Sequence, residues 1–70
     1  MPQPSASELK KIIRQVTALA NKKFGRDWSL VISNEGSMQI EARHTEGKLV
    51  QAVVWTGGRI ESRTTVAKGS

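Results

Sequence analysis

From Leu9 onward, apolar residues recur at helical spacing: Leu9, Ile12, Ile13, Val16, Leu19, Ala20 and Phe24. At 100° per residue they fall within about 140° of arc, a stripe wide enough to lie on a sheet. Both ends of the run carry helix punctuation. Ser5-Ala6-Ser7-Glu8 fits a capping box, the Ser5 hydroxyl accepting from the Glu8 amide while the Glu8 carboxylate reaches back. Gly25, just past the last apolar residue, suits a left-handed C′ position. The pattern predicts one amphipathic helix.

Beyond Asp27 the period becomes two. Four alternating runs follow, Trp28–Ser33, Ser37–His44, Leu49–Thr56 and Arg59–Val66, with glycine-bearing junctions at Asn34-Glu35-Gly36, Glu46-Gly47 and Gly57-Gly58. Short runs joined by two or three turn residues are hairpins, so the strands are expected as an antiparallel meander in the order 1-2-3-4. The fold class is therefore α+β: an N-terminal amphipathic helix packed on a four-stranded antiparallel sheet, in the order α-β-β-β-β.

Turn lengths predict a register. A two-residue turn at Gly57-Gly58 sets Trp55 opposite Ile60 and Val53 opposite Ser62. One at Glu46-Gly47 sets Ile40 opposite Val53 and Met38 opposite Trp55, and a three-residue turn at Asn34–Gly36 sets Ile32 opposite Met38 and Leu30 opposite Ile40. These choices agree on one buried face of Trp28, Leu30, Ile32, Met38, Ile40, Ala42, Leu49, Val53, Trp55, Ile60 and Val66, and a one-residue slip would turn a whole strand inside out. The other face carries a short apolar ridge, Val50, Ala52 and Val54, between Gln39, Glu41 and Arg43 on one side and Glu61, Arg63 and Thr65 on the other. One helix covers one face only. Either the stems of the flanking long side chains lie over this ridge, or Arg43, Val50, Ala52, Val54 and Arg63 form a homodimer or partner surface.

Seventy residues allow one domain, expected over residues 5–67 with a loose tail at 1–4 and a frayed end at 68–70. A chain this short buries only about 60% of the surface its unfolded form exposes. It has no cysteine and a single histidine, so neither a disulfide nor a structural zinc supports it. Stability must come from one packed core, extended in some small domains by self-association. No apolar run approaches the roughly 20 residues that span a bilayer. The Met-Pro-Gln-Pro start is not a basic segment leading into an apolar one, and the chain is read as soluble and cytoplasmic.

Charge then changes the picture. Residues 1–26 hold six bases, Lys10, Lys11, Arg14, Lys22, Lys23 and Arg26, against Glu8 alone, whereas residues 27–70 hold five bases and five acids. The whole net charge of +5 thus lies on the helical third. Lys22, Lys23 and Arg26 sit near the helix C-terminus, where the macrodipole favours cations. Lys10, Lys11 and Arg14 sit toward the opposite end, and Lys10 with Arg14 is a repulsive i,i+4 pair. A sequence that tolerates both penalties points to an external anion.

Reactive groups are few. His44 reads as a strand-end surface residue, Glu41 and Glu61 as part of a surface charge lattice, and Trp55-Thr56-Gly57-Gly58-Arg59 as a hairpin turn. The last lacks the Lys-Ser/Thr and following helix of a phosphate-binding loop. Neither a metal site, a cofactor nor catalysis is expected. A helix followed by strands also opens double-stranded-RNA-binding domains, but these close with a second, lysine-bearing helix where this chain has a strand pattern, and that family is not assigned. The favoured expectation is a small non-catalytic nucleic-acid-binding module whose Lys10, Lys11, Arg14, Lys22 and Arg26 contact phosphates, with little base readout because the aromatic residues are spent in the core. The alternative is a protein-binding adaptor or inhibitor, phage or mobile-element encoded for example, that docks on an acidic surface of a larger host protein.

Overall fold

The computed structural model describes residues 4–67; apart from Pro4, the expected tail and the frayed end lie outside the described residues. One helix, α1 (Ala6–Phe24), precedes four strands, β1 (Ser29–Glu35), β2 (Ser37–Glu46), β3 (Leu49–Thr56) and β4 (Arg59–Val66). They form one antiparallel sheet in the order β1-β2-β3-β4. The helix starts as its sequence dictates. Glu8 N–H donates to Ser5 Oγ at 3.3 Å, and Ser5 N–H donates to Glu8 Oε1 at 3.5 Å. At the other end the Gly25 N–H donates to the Asn21 carbonyl at 3.0 Å. Gly25 has φ +69° but ψ −122°, so it is not in the left-handed helical well that was expected. It turns the chain more sharply, into a region open to glycine because it lacks a Cβ.

The β3–β4 register is the expected one, Trp55 opposite Ile60 and Val53 opposite Ser62. The other two pairings are shifted by two residues. Ile40 faces Trp55 rather than Val53, and Ala42 faces Val53. Ile32 faces Ile40 rather than Met38, and Leu30 faces Ala42 rather than Ile40. Turn chemistry explains the β2–β3 shift. Glu46 pairs with Leu49, so the loop is Gly47-Lys48, with Gly47 at φ +62° and Lys48 not at positive φ. That is the II′ pattern, which wants glycine at the first central position rather than the second. Gly57 and Gly58, both at positive φ, make the I′ alternative. An even shift leaves every side chain on its expected face.

Helix-facing positions differ sharply in burial. Ile12, Val16 and Ala20 pack on Ile40, Ala42 and Val53, with Leu9, Ile13, Phe24, Trp28, Met38 and Trp55 around them. Leu30, Ile32, Leu49, Ile60 and Val66, all expected inside, are exposed. The cause is geometric: a helix about 10 Å across roofs about two strands spaced ~4.8 Å apart. Here it lies over β2 and β3. Leu30 and Ile32 on β1 and Ile60 and Val66 on β4 keep the correct face but lie outside the roof, and Leu49 is the first residue of β3, beside the hairpin loop.

Candidate nucleic-acid interface

Helix phase decides which cations are free. Lys10, Lys11, Arg14 and Lys22 are exposed on the side of α1 opposite Val16 and Ala20. They span about 120° of arc and about 18 Å of helix axis at 100° and 1.5 Å per residue. Among the described residues, the carboxylates within 4.0 Å of a basic group belong to Glu41, Asp27 and Glu46, and they approach Arg43 and His44. None neutralises the helix. Arg26 is exposed just past Gly25, in the turn that leaves the helix. Lys23 is different, since helical phase turns it toward the sheet and its Nζ donates to Ser62 Oγ on β4 at 2.6 Å. It tethers the helix end, while its neighbour Lys22 faces water.

On the uncovered sheet face, register sets out rows. Arg43, Ala52 and Arg63 lie side by side, and the next row is Glu41, Val54 and Glu61. The apolar ridge is not exposed as the dimer reading required: Val54 is 1% and Ala52 4% exposed, with Val50 half-buried. Small side chains on a central strand sink between the long stems of their neighbours. Arg43 Nη2 donates to Glu41 Oε1 at 2.8 Å, so this lattice is partly self-neutralised. Arg43 and Arg63 remain exposed, but the five residues together do not make an apolar docking patch.

His44 is not the free surface residue its position at a strand end suggested. Its side chain is 14% exposed and its ring stacks on Phe24 with centroids 5.0 Å apart and planes 10° from parallel. Nδ1–H donates to the Asp27 carbonyl at 2.5 Å, and Nε2 lies 3.8 Å from Glu46 Oε2. The ring pins the turn after the helix onto β2. The period-two pattern carried this signal, because His44 has the parity of Met38, Ile40 and Ala42. Trp28 completes the junction, its Nε1–H shared between Asn21 Oδ1 at 3.0 Å and the Gly25 carbonyl at 3.2 Å.

An open depression of about 260 Å³ lies beside Lys23, Phe24, Gln51, Ser62 and Arg63. Its lining has cations and hydroxyls but no histidine, cysteine or carboxylate to act as a base. Among the described residues no cluster of His, Cys, Asp or Glu could hold a metal. Among the described residues no helix is long and apolar enough to cross a membrane. Phe24, Trp28 and Trp55 are partly buried and pack against the core, so none of them is a fully exposed stacking platform. No protein-family model, curated protein or solved structure matches this chain.

Proposed function

We propose that this protein is a small non-catalytic nucleic-acid-binding module that grips the phosphate backbone through the outer face of α1. The observation that carries this reading is the set of four cations, Lys10, Lys11, Arg14 and Lys22, held on one helix face with no acidic partner among the described residues. Helix placement matters because a preformed row of charges loses little freedom on binding, and Arg26 extends the row past the helix end. Such contacts fix position on a duplex but carry no sequence information. Binding is therefore expected to be sequence-tolerant and steeply dependent on salt. A cysteine-free chain fits a reducing cytoplasm.

The test is binding of a labelled duplex across a salt series. With four to five phosphates neutralised, log K is expected to fall with log salt at a slope of about −3.6 to −4.5. Absence of binding at low salt, or an affinity that salt leaves unchanged, would refute the proposal. The core placement of all three aromatic side chains favours a second reading, an adaptor or inhibitor docking on an acidic protein surface, which needs no stacking platform. Recovery of a stoichiometric protein from nuclease-treated lysate, together with no duplex binding, would put that reading first.

A further inference from the structure

We propose that two copies of this chain pair through the free edge of β1, antiparallel about a two-fold axis, into one continuous sheet. Strand order leaves β1 and β4 as the edges, and they are protected very differently. β4 carries Arg59, Glu61 and Arg63, and its Ser62 is held by Lys23. From Ser29 to Asn34, β1 has neither a charge nor a proline, the devices that ordinarily blunt an edge. Leu30 and Ile32 are 41% and 50% exposed there, just beyond the roof of the helix.

The hairpins show which backbone groups stand open. Glu46 and Leu49 flank a two-residue loop and form its closing hydrogen-bonded pair. Bonded and non-bonded pairs alternate from there, so even-numbered β2 residues bond toward β3 and odd-numbered ones toward β1. Ser29, Val31, Ser33 and Glu35 are thereby bonded inward. The N–H and C=O groups of Leu30, Ile32 and Asn34 point out of the sheet.

A second copy suits this edge because antiparallel pairing about a two-fold axis is self-complementary. Centring the pair on Ile32 sets Ile32 against its own copy and Leu30 against Asn34, with every outward group matched. Centring it on Val31 instead would oppose Asp27 to Glu35, both exposed acids. Of these two registers, charge favours the one centred on Ile32. The axis stands perpendicular to the sheet, so both helices fall on the same side. With each helix over β2 and β3, their axes lie about four strand spacings apart, or about 19 Å. That is more than twice the ~8 Å screening length at physiological salt, so the two cationic helices repel only weakly. Leu30 and Ile32 of both copies would floor the gap between them. Pairing does not depend on the nucleic-acid reading, although under that reading it doubles the cations on one surface.

Sedimentation equilibrium of the full chain, free of nucleic acid, tests this over about 10 µM to 1 mM, a range suited to a small interface. The parent is expected to rise from 7.7 kDa toward twice that mass, while Ile32→Lys stays monomeric with an unchanged circular dichroism spectrum. Amide exchange by NMR supplies a readout that needs no variant: Leu30, Ile32 and Asn34 should gain protection as concentration rises. A parent that remains monomeric at the top of the range overturns self-pairing and leaves the edge to a foreign strand. A dimer that survives Ile32→Lys with those three amides exchanging fast would also overturn it. Neither result bears on the salt slope for duplex binding.

Discussion

Replacing Lys10 with glutamate should stabilise the fold and weaken binding at once. Lys10 and Arg14 are exposed like charges one turn apart on α1, with no carboxylate within 4.0 Å among the described residues. The repulsion costs about 0.2–0.5 kcal/mol, and a Glu four residues before an Arg returns a similar amount of attraction. Lys10→Glu should therefore gain about 0.4–1 kcal/mol. The macrodipole adds little, because Lys10 lies just beyond the first turn. At roughly 4–8 °C per kcal/mol for a domain of this size, the melting temperature should rise by about 2–8 °C. Lys10→Gln removes only the repulsion and should recover about half of that gain. For duplex binding, the loss of one phosphate contact should reduce the salt slope by about 0.9 in either variant. Thermal unfolding and a salt-series titration on the same preparations give both numbers. A Lys10→Glu protein destabilised by ~1 kcal/mol or more, larger than any surface pair explains, would mean that Lys10 makes an intramolecular contact. An unchanged salt slope would remove Lys10 from the interface.

Substitutions at four other positions test the packing. Ile40→Ala empties a fully buried position under the helix and should cost about 2–5 kcal/mol in urea unfolding; Ile32→Ala, half exposed, should cost well under half as much. His44→Phe keeps a ring against Phe24 but loses the bond to the Asp27 carbonyl, for a loss of about 1 kcal/mol, whereas His44→Ala loses the stack too and should cost about 1 kcal/mol more; equal losses would show that the stack contributes nothing. Thr56 Oγ1 is buried with no hydrogen-bond partner among the described residues, so Thr56→Val should raise stability by about 1 kcal/mol; a loss of that size would mean that the hydroxyl has found a partner.

Local rules reached far into this fold. Helix ends came from Ser5, Glu8 and Gly25, strand faces from alternation, and the I′ hairpin from Gly57-Gly58. Where two local choices were nearly equal, they were less reliable. Glu46-Gly47 and Gly47-Lys48 are both two-residue turns on paper, and the handedness of the glycine chooses between them. The segregation of charge was also plain from composition. Which cations are free was not, because Lys22 and Lys23 are identical in sequence terms, yet the ~100° between them on the helix turns only Lys23 toward the sheet.

Periodicity and turn chemistry are local quantities, set by a few neighbouring residues, and they suffice for element type, order and facing. Burial is collective. It depends on how many strands one helix can roof, which left Leu30 and Ile32 outside and gave β1 its open apolar edge. It depends equally on what long side chains do across strands, which hid Val54 on the face without a helix. The same packing drew His44 beneath Phe24 and tied Lys23 to Ser62, partners 20 and 39 positions apart along the chain, brought together only when the helix settles onto the sheet.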